Sequence, residues 1–239
     1  MRLLVINPNI TESVTRLIGD EARRAASPGT ELTLLTARFG VAYIETRLEA
    51  VIGAYASLLL IAENLGKHDA VIIAAFGDPG LPALRDALDR PVVGLTEAAL
   101  AAASPLGRRF SIIAISQRIS AWYRETVEGY GFGGRLASIR ALDQSIRDIG
   151  GVQDEHAEQL EALCKAAIEE DGAEALILAG APLAGLARRI AGELPVPLVD
   201  PIAAAVRQAE TARSGNFTPP PRKANAGLPE SLRRLLGGD

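Results

Sequence analysis

One half-length unit is written twice along this chain. The first copy contains RLLVINPN (2–9), HDAVIIAAFGDPG (68–80) and RPVVGLTEAALAAA (90–103). The second contains RFSIIAIS (109–116), AEALILAGAPLAG (173–185) and VPLVDPIAAAVRQA (196–209). Arg2 and Arg109 stand 107 residues apart, and Pro91 and Pro197 stand 106 apart. A duplication of this kind restricts the chain to two lobes of one design. It also sets equivalent loops opposite each other, so that one chemical group from each lobe can reach opposite sides of one atom.

The apolar runs Leu3–Ile6, Val71–Ala74, Ile112–Ile115 and Leu176–Leu178 read as buried parallel strands, since helices cover both faces of such a sheet. Between them, Ser13–Ala26 and Val152–Glu170 place apolar residues at helical spacing. Strand alternating with helix predicts an α/β fold: two pseudo-symmetric lobes, each a mostly parallel sheet flanked by helices, with a ligand cleft between them. The expected division is residues 1–100 with 205–215 for the first lobe and 101–204 for the second. Residues 216–239 are expected to form an extended Pro-rich arm. Its LPESLRRLL patch could close as a terminal helix.

The bulk numbers narrow the function. Net charge is −4 without a basic run, which gives no electrostatic footprint for nucleic acid or an anionic membrane. The opening MRLLVINPN breaks at Asn7–Pro8–Asn9, so it does not read as a signal peptide, and no apolar stretch reaches the roughly 20 residues of a membrane span. A soluble cytoplasmic protein is expected. Two distant His and one Cys match no metal-ligand spacing, so no metal is expected.

In α/β sheets ligands gather at the carboxyl ends of the strands. The loops there are 7–9, 39–43 and 76–80 in the first copy, and 116–118 and 180–183 in the second. Helix starts can be read in them. Asn9 with Glu12 has capping-box spacing, Asp78–Pro79 reads as N-cap then N1, Pro182 reads as another N1 proline, and Ser116 can cap the helix of Trp122 and Tyr123. Several helix N-termini converging on one cleft would suit a carboxylate or an imide oxygen.

The set INPN (6–9), GVAYIE (40–45), AAFGDPGL (74–81), RPVVGLTEAA (90–99), RFSI (109–112) and EALILAGAPLAG (174–185) resembles the cofactor-independent aspartate/glutamate/hydantoin racemase superfamily, above all its hydantoin and allantoin racemase branch. The resemblance runs from the N-terminus to SGNFTPPPRK (214–223). It implies two lobes with the active site between them, an isomerase acting on a small amino-acid derivative without a cofactor, and a homo-oligomer. It also implies one cysteine per lobe: a thiolate takes the proton from the stereogenic carbon while a thiol returns one from the other face. Cysteine suits that work because its pKa, about 8.5, is easily tuned.

Here the sequence departs from the pattern. Ala75 stands where a motif like A-C-F-G-D-P-G has its cysteine, and Gly180 stands at the cysteine of a motif like L-G-C-A-G-M. Neither residue ionises, so two-thiol racemisation cannot run at these positions. The one cysteine, Cys164, falls on the apolar face of a helix and reads as a buried, inert thiol.

Other groups therefore come into question. Asp78 is the best-placed ionisable residue, either as a helix cap or, in a dry cleft, as an acid–base group. Glu45 is expected to pair with Arg47 or another cation, or to cap its helix. His156 is expected to be solvated and His68 to lie in a loop. Asn9, Tyr43, Ala75, Phe76, Gly77, Ser116, Gly180 and Ala181 are the expected substrate-binding positions. The function expected is that of a hydantoin racemase-like enzyme acting on a hydantoin, ureide or dicarboxylate by an altered mechanism. The alternatives are a non-catalytic binding protein, and a lyase or hydrolase on the same scaffold.

Overall fold

The structure, a computed structural model, describes residues 1–64, 66–144, 146–212 and 227–236. Strands β1 (Arg2–Asn7), β2 (Glu31–Thr36), β3 (Ala70–Ile73) and β4 (Val92–Gly94) form one sheet in the order β2-β1-β3-β4. Strands β5 (Phe110–Ala114), β6 (Leu136–Ala141), β7 (Ala175–Leu178) and β8 (Leu198–Val199) form the second in the order β6-β5-β7-β8. Every pairing is parallel, and the register agrees between copies: Leu3 faces Ala70 as Phe110 faces Ala175. The sequence repeat is thus a repeat of topology. Leu3 to Ile6 are all buried, as a strand covered on both faces must be.

The helices are α1 (Glu12–Ala25), α2 (Arg47–Glu63), α3 (Leu81–Ala87), α4 (Leu95–Ala103), α5 (Ser120–Gly129), α6 (Val152–Glu155), α7 (Ala157–Glu169), α8 (Leu186–Ile190), α9 (Pro201–Thr211) and α10 (Glu230–Leu235). Two of them cross between the lobes. After β4, α4 packs on β7 and β8; after β8, α9 returns to pack on β3, β4 and α1. The two lie against each other. Ala98, Ala99 and Ala103 on one and Ala204, Ala205 and Ala209 on the other, all buried, let them approach closely. One core therefore runs through both lobes, joining Val5 and Ile72 of the first sheet to Ile112 and Ile177 of the second.

Two outer clusters complete the packing. On the first lobe Leu4, Ile6, Val71 and Ile73 meet Leu60 and Ile61 of α2 and Leu232 and Leu235 of α10. The expected terminal helix is therefore present and docks on its own chain. The stretch expected to be extended before it lies outside the described residues. On the second lobe Ile113, Leu176 and Leu178 meet Leu160 and Cys164 of α7. Cys164 is fully buried, and burial pushes its thiol up to about 12. No helix among the described residues is long and apolar enough to cross a membrane.

Two expectations need correction. The helical stretch 152–170 breaks at His156, whose backbone (φ −123, ψ 28) leaves the helix between α6 and α7. The break turns its ring inward. His156 is buried, not solvated, with Nδ1 2.9 Å from Gln144 Nε2. His68 does lie in the loop before β3, buried, with Nε2 3.0 Å from Thr33 Oγ1.

Candidate functional site

The loops after β1, β2, β3 and β7 converge on a small cavity at the carboxyl ends of the strands. Asn9, Tyr43, Ile44, Ala74, Ala75, Phe76, Tyr123, Gly180, Ala181 and Pro182 line it. Its open space is about 20 Å³, enough for one water molecule. Ala75 and Gly180, 105 residues apart in sequence, thus face one space between the lobes.

Each wall has a local cause. Asn7 is buried at the end of β1, and its Nδ2 donates to Asn9 Oδ1 at 3.0 Å and to Thr15 Oγ1 at 3.0 Å. Asn9 Oδ1 accepts from Thr11 N at 2.9 Å. Asn9 therefore closes a turn before α1, whose N-cap is Thr11; the capping box expected between Asn9 and Glu12 does not form. The box is found instead at Thr46 and Glu49, which start α2 just after Tyr43–Glu45. The sequence carried that signal as T-R-L-E (46–49).

Phe76 packs on Tyr123 of α5 with ring centroids 4.7 Å apart. Gly77 adopts φ +93 beneath Trp122, where a Cβ would come within 2.4 Å of the indole. Its N–H donates to Thr96 Oγ1 at 2.6 Å. Gly77 is therefore a support of the loop and not part of the lining.

Asp78 is buried and does not line the cavity. Its Oδ1 accepts from Thr96 N at 2.8 Å, and its Oδ2 accepts from Glu97 N at 3.0 Å and from Tyr130 Oη at 2.9 Å. It caps α4, eighteen residues on at Thr96, and not the helix that follows it; the N-cap of α3 is Gly80. Burial, against these three donors, lifts its pKa to about 6. Asp200 does the matching work in the second lobe: Oδ1 accepts from Ile202 N at 2.8 Å at the start of α9, and Oδ2 from Gly185 N at 2.6 Å. The amino ends of α4 and α9 are therefore filled by the chain's own carboxylates, and the expected convergence of open helix termini does not include them.

Ser116 lies in an adjoining cleft of about 500 Å³ that shares Tyr43 as a wall. Its Oγ donates to Glu45 Oε1 at 2.5 Å and accepts from Arg118 N at 3.3 Å at the turn leading into α5. Glu45 pairs with a cation, as expected, but with Arg118 at 3.0 Å across the lobes; Arg47, the nearer of the expected partners, pairs with Glu125. Among the described residues no three His, Cys, Asp or Glu side chains gather as a metal site.

Sequence reasoning missed Tyr123, Ile44, Ala74 and Pro182 in the lining, and Thr96 and Tyr130 around Asp78. Tyr123 carried a usable signal, a second-lobe aromatic one turn after a strand-end loop. Tyr130 carried none, because its meeting with Asp78 is purely tertiary.

A duplicated α/β protein with exchanged helices α4 and α9 and a small cleft between equivalent strand ends defines a class, the two-lobed racemase-like proteins. Known proteins make the class specific. Residues 3–209 match the family model described as Asp/Glu/Hydantoin racemase. The chain is 38% identical over 215 residues to the hydantoin racemase of Paenarthrobacter aurescens, covering 88% of this chain and 90% of that one. The allantoin racemase from Klebsiella pneumoniae superposes with a TM-score of 0.89 at 34% identity, over 97% of this chain and 98% of that one. That from Pseudomonas fluorescens gives 0.85 at 33% identity, over 95% and 100%. The chain belongs to the Asp/Glu/hydantoin racemase family and is hydantoin racemase-like within it.

Proposed function

We propose that this protein acts on a small amino-acid derivative of the hydantoin, ureide or dicarboxylate type by a route that uses no thiol, the ligand lying in the adjoining cleft and reaching past Tyr43 into the small Ala75–Gly180 cavity. The observation carrying this reading is that the two lobes present a methyl group and a bare glycine to one space. Asn9, Tyr43, Ala75, Phe76, Gly180 and Ala181 are the contacts proposed, with Ser116 reached from the adjoining cleft and Gly77 holding its loop. Chemistry at an enolate-forming carbon, as a lyase or hydrolase would perform it, suits a pocket without two bases as well as isomerisation does. The reading needs no cofactor and places the protein in the cytoplasm.

A non-catalytic binding protein is the second reading. It is favoured by the lining itself, whose only ionisable side chains are two phenols. Incubation with enantiopure 5-substituted hydantoins and allantoin in D2O, followed by proton NMR and chiral chromatography, separates the two. The expected result is deuterium at the stereogenic carbon, or a new product, above the protein-free rate. Iodoacetamide should leave that turnover unchanged, because Cys164 is buried away from the cavity. Ligand-induced thermal stabilisation with neither exchange nor product would establish the binder.

A homo-oligomer is proposed as well. Leu48, Val51 and Tyr55 form an exposed apolar stripe along α2, with the Phe39 ring tilted against Tyr55 at a centroid distance of 6.1 Å. Val51→Glu is expected to shift the sedimentation coefficient toward that of the monomer; no shift would remove this stripe from the interface.

A further inference from the structure

Tyr43 comes from the first lobe, yet its hydroxyl sits over Gly180 of the second. A Cβ built at residue 180 would lie 3.5 Å from Tyr43 Oη and 4.0 Å from Tyr123 Oη. The phenols thus stand beside the place where the family pattern has its second thiol. Gly180 has φ +104, and the absence of a side chain leaves that space to the hydroxyls.

The Tyr43 hydroxyl is shut off from solvent and has no hydrogen-bond partner among the described residues. The Tyr123 hydroxyl stands close enough to share a weak polar contact with it, but that contact falls short of hydrogen-bond geometry and leaves the Tyr43 hydroxyl unsatisfied. A buried hydroxyl without a partner is costly, and natural proteins keep one chiefly where something else completes it. Burial also raises both phenols above their ordinary range. They remain neutral donors and cannot act as phenolate bases near neutral pH.

We infer that Tyr43, assisted by Tyr123, binds a neutral carbonyl oxygen of the ligand at the Gly180 side of the cavity. A proton-transfer station has become an oxygen-binding one. The oxygen is assigned as a carbonyl because the lining includes no Lys or Arg, and an unpaired carboxylate buried there would be strongly disfavoured. This inference rests on the ureide reading above and names the atom class that the cavity selects.

Titration calorimetry of the parent and Tyr43→Phe with hydantoin and with aspartate tests it, alongside thermal unfolding of both unliganded proteins. Phe keeps the ring and its packing. Hydantoin should bind Tyr43→Phe about tenfold more weakly than the parent, the effect of one lost hydrogen bond. The unliganded variant should melt at or above the parent's temperature, because its hydroxyl had no partner to lose. Equal hydantoin affinity in both proteins would overturn the Tyr43 assignment and leave the ureide reading standing. A melting temperature lowered by several degrees without ligand would overturn it too, by giving the hydroxyl a structural duty. Tyr43-dependent binding of aspartate alone would overturn the neutral-oxygen assignment. Binding of neither probe to the parent would overturn the Tyr43 oxygen site and the ureide reading together.

Discussion

Asp78→Ala is expected to lower the unfolding free energy by about 3–5 kcal/mol, taking 1–3 kcal/mol for each buried donor left without an acceptor and allowing for partial relaxation. Three donors lose their partner at once: Thr96 N, Glu97 N and Tyr130 Oη. The first two belong to the amino end of α4, the helix that crosses between the lobes, so both lobes should loosen together. Alanine also fits the backbone worse. Asp78 has φ 49, a left-handed conformation that Asp and Asn tolerate better than Ala. For a chain of this size the melting temperature should fall by roughly 10 °C. A loss under about 1 kcal/mol would mean that water replaces the carboxylate, and that the cap does not hold the lobes together.

The same residue gives a pH test with a definite sign. The folded pKa, about 6, lies above the unfolded value of about 3.9. Its contribution to stability is therefore fully present below pH 4 and is lost as the pH rises through 6, by up to about 3 kcal/mol. Asp78→Asn keeps the shape and the backbone tolerance but does not titrate. The stability gap between parent and Asp78→Asn, measured by urea unfolding, should be wider at pH 4 than at pH 7.5. A gap that widens toward pH 7.5 would show that the three donors outweigh burial and hold the carboxylate ionised.

The duplication was legible because it is written in runs that only buried strands use, such as LLVI and VIIA, and because the spacing of 105 to 107 residues recurs at each motif. That spacing also brought Ala75 and Gly180 into one cavity, with Asn9, Tyr43, Phe76 and Ala181 beside them. What could not be read was which partner a local signal would choose. Asp78 was visible as a cap, yet the helix it caps starts at Leu95, because the loop after β3 curls back over the amino end of α4. His156 looked solvated among polar neighbours because a break in a helix turns a side chain by an angle that composition does not encode. Glu45 chose Arg118 across the lobes over Arg47 two residues away, since neighbours two apart at a helix start do not face each other.

Returning cysteine to positions 75 and 180 is expected not to return two-thiol racemisation, and the reason lies in the backbone. Ala75 has no positive φ, so Ala75→Cys should fold with near-parental stability. Gly180 adopts φ +104 and ψ 140, close to a region that only glycine enters readily. Gly180→Cys should cost about 1–3 kcal/mol of conformational strain, since a Cβ at this position would meet its neighbours at ordinary contact distances. Relief of that strain would rotate the loop, carrying the new thiol away from the face opposite residue 75. Chiral chromatography of an L-5-substituted hydantoin incubated with the double variant should accordingly show no loss of optical purity beyond that produced by Ala75→Cys alone. Rapid, iodoacetamide-sensitive racemisation by the double variant would show that the 180 loop relaxes into a conformation open to L-residues. The chain would then be a family member lacking only its thiols. With racemisation absent, the backbone of the 180 loop, and not only the missing thiols, sets this chain apart from the two-thiol pattern.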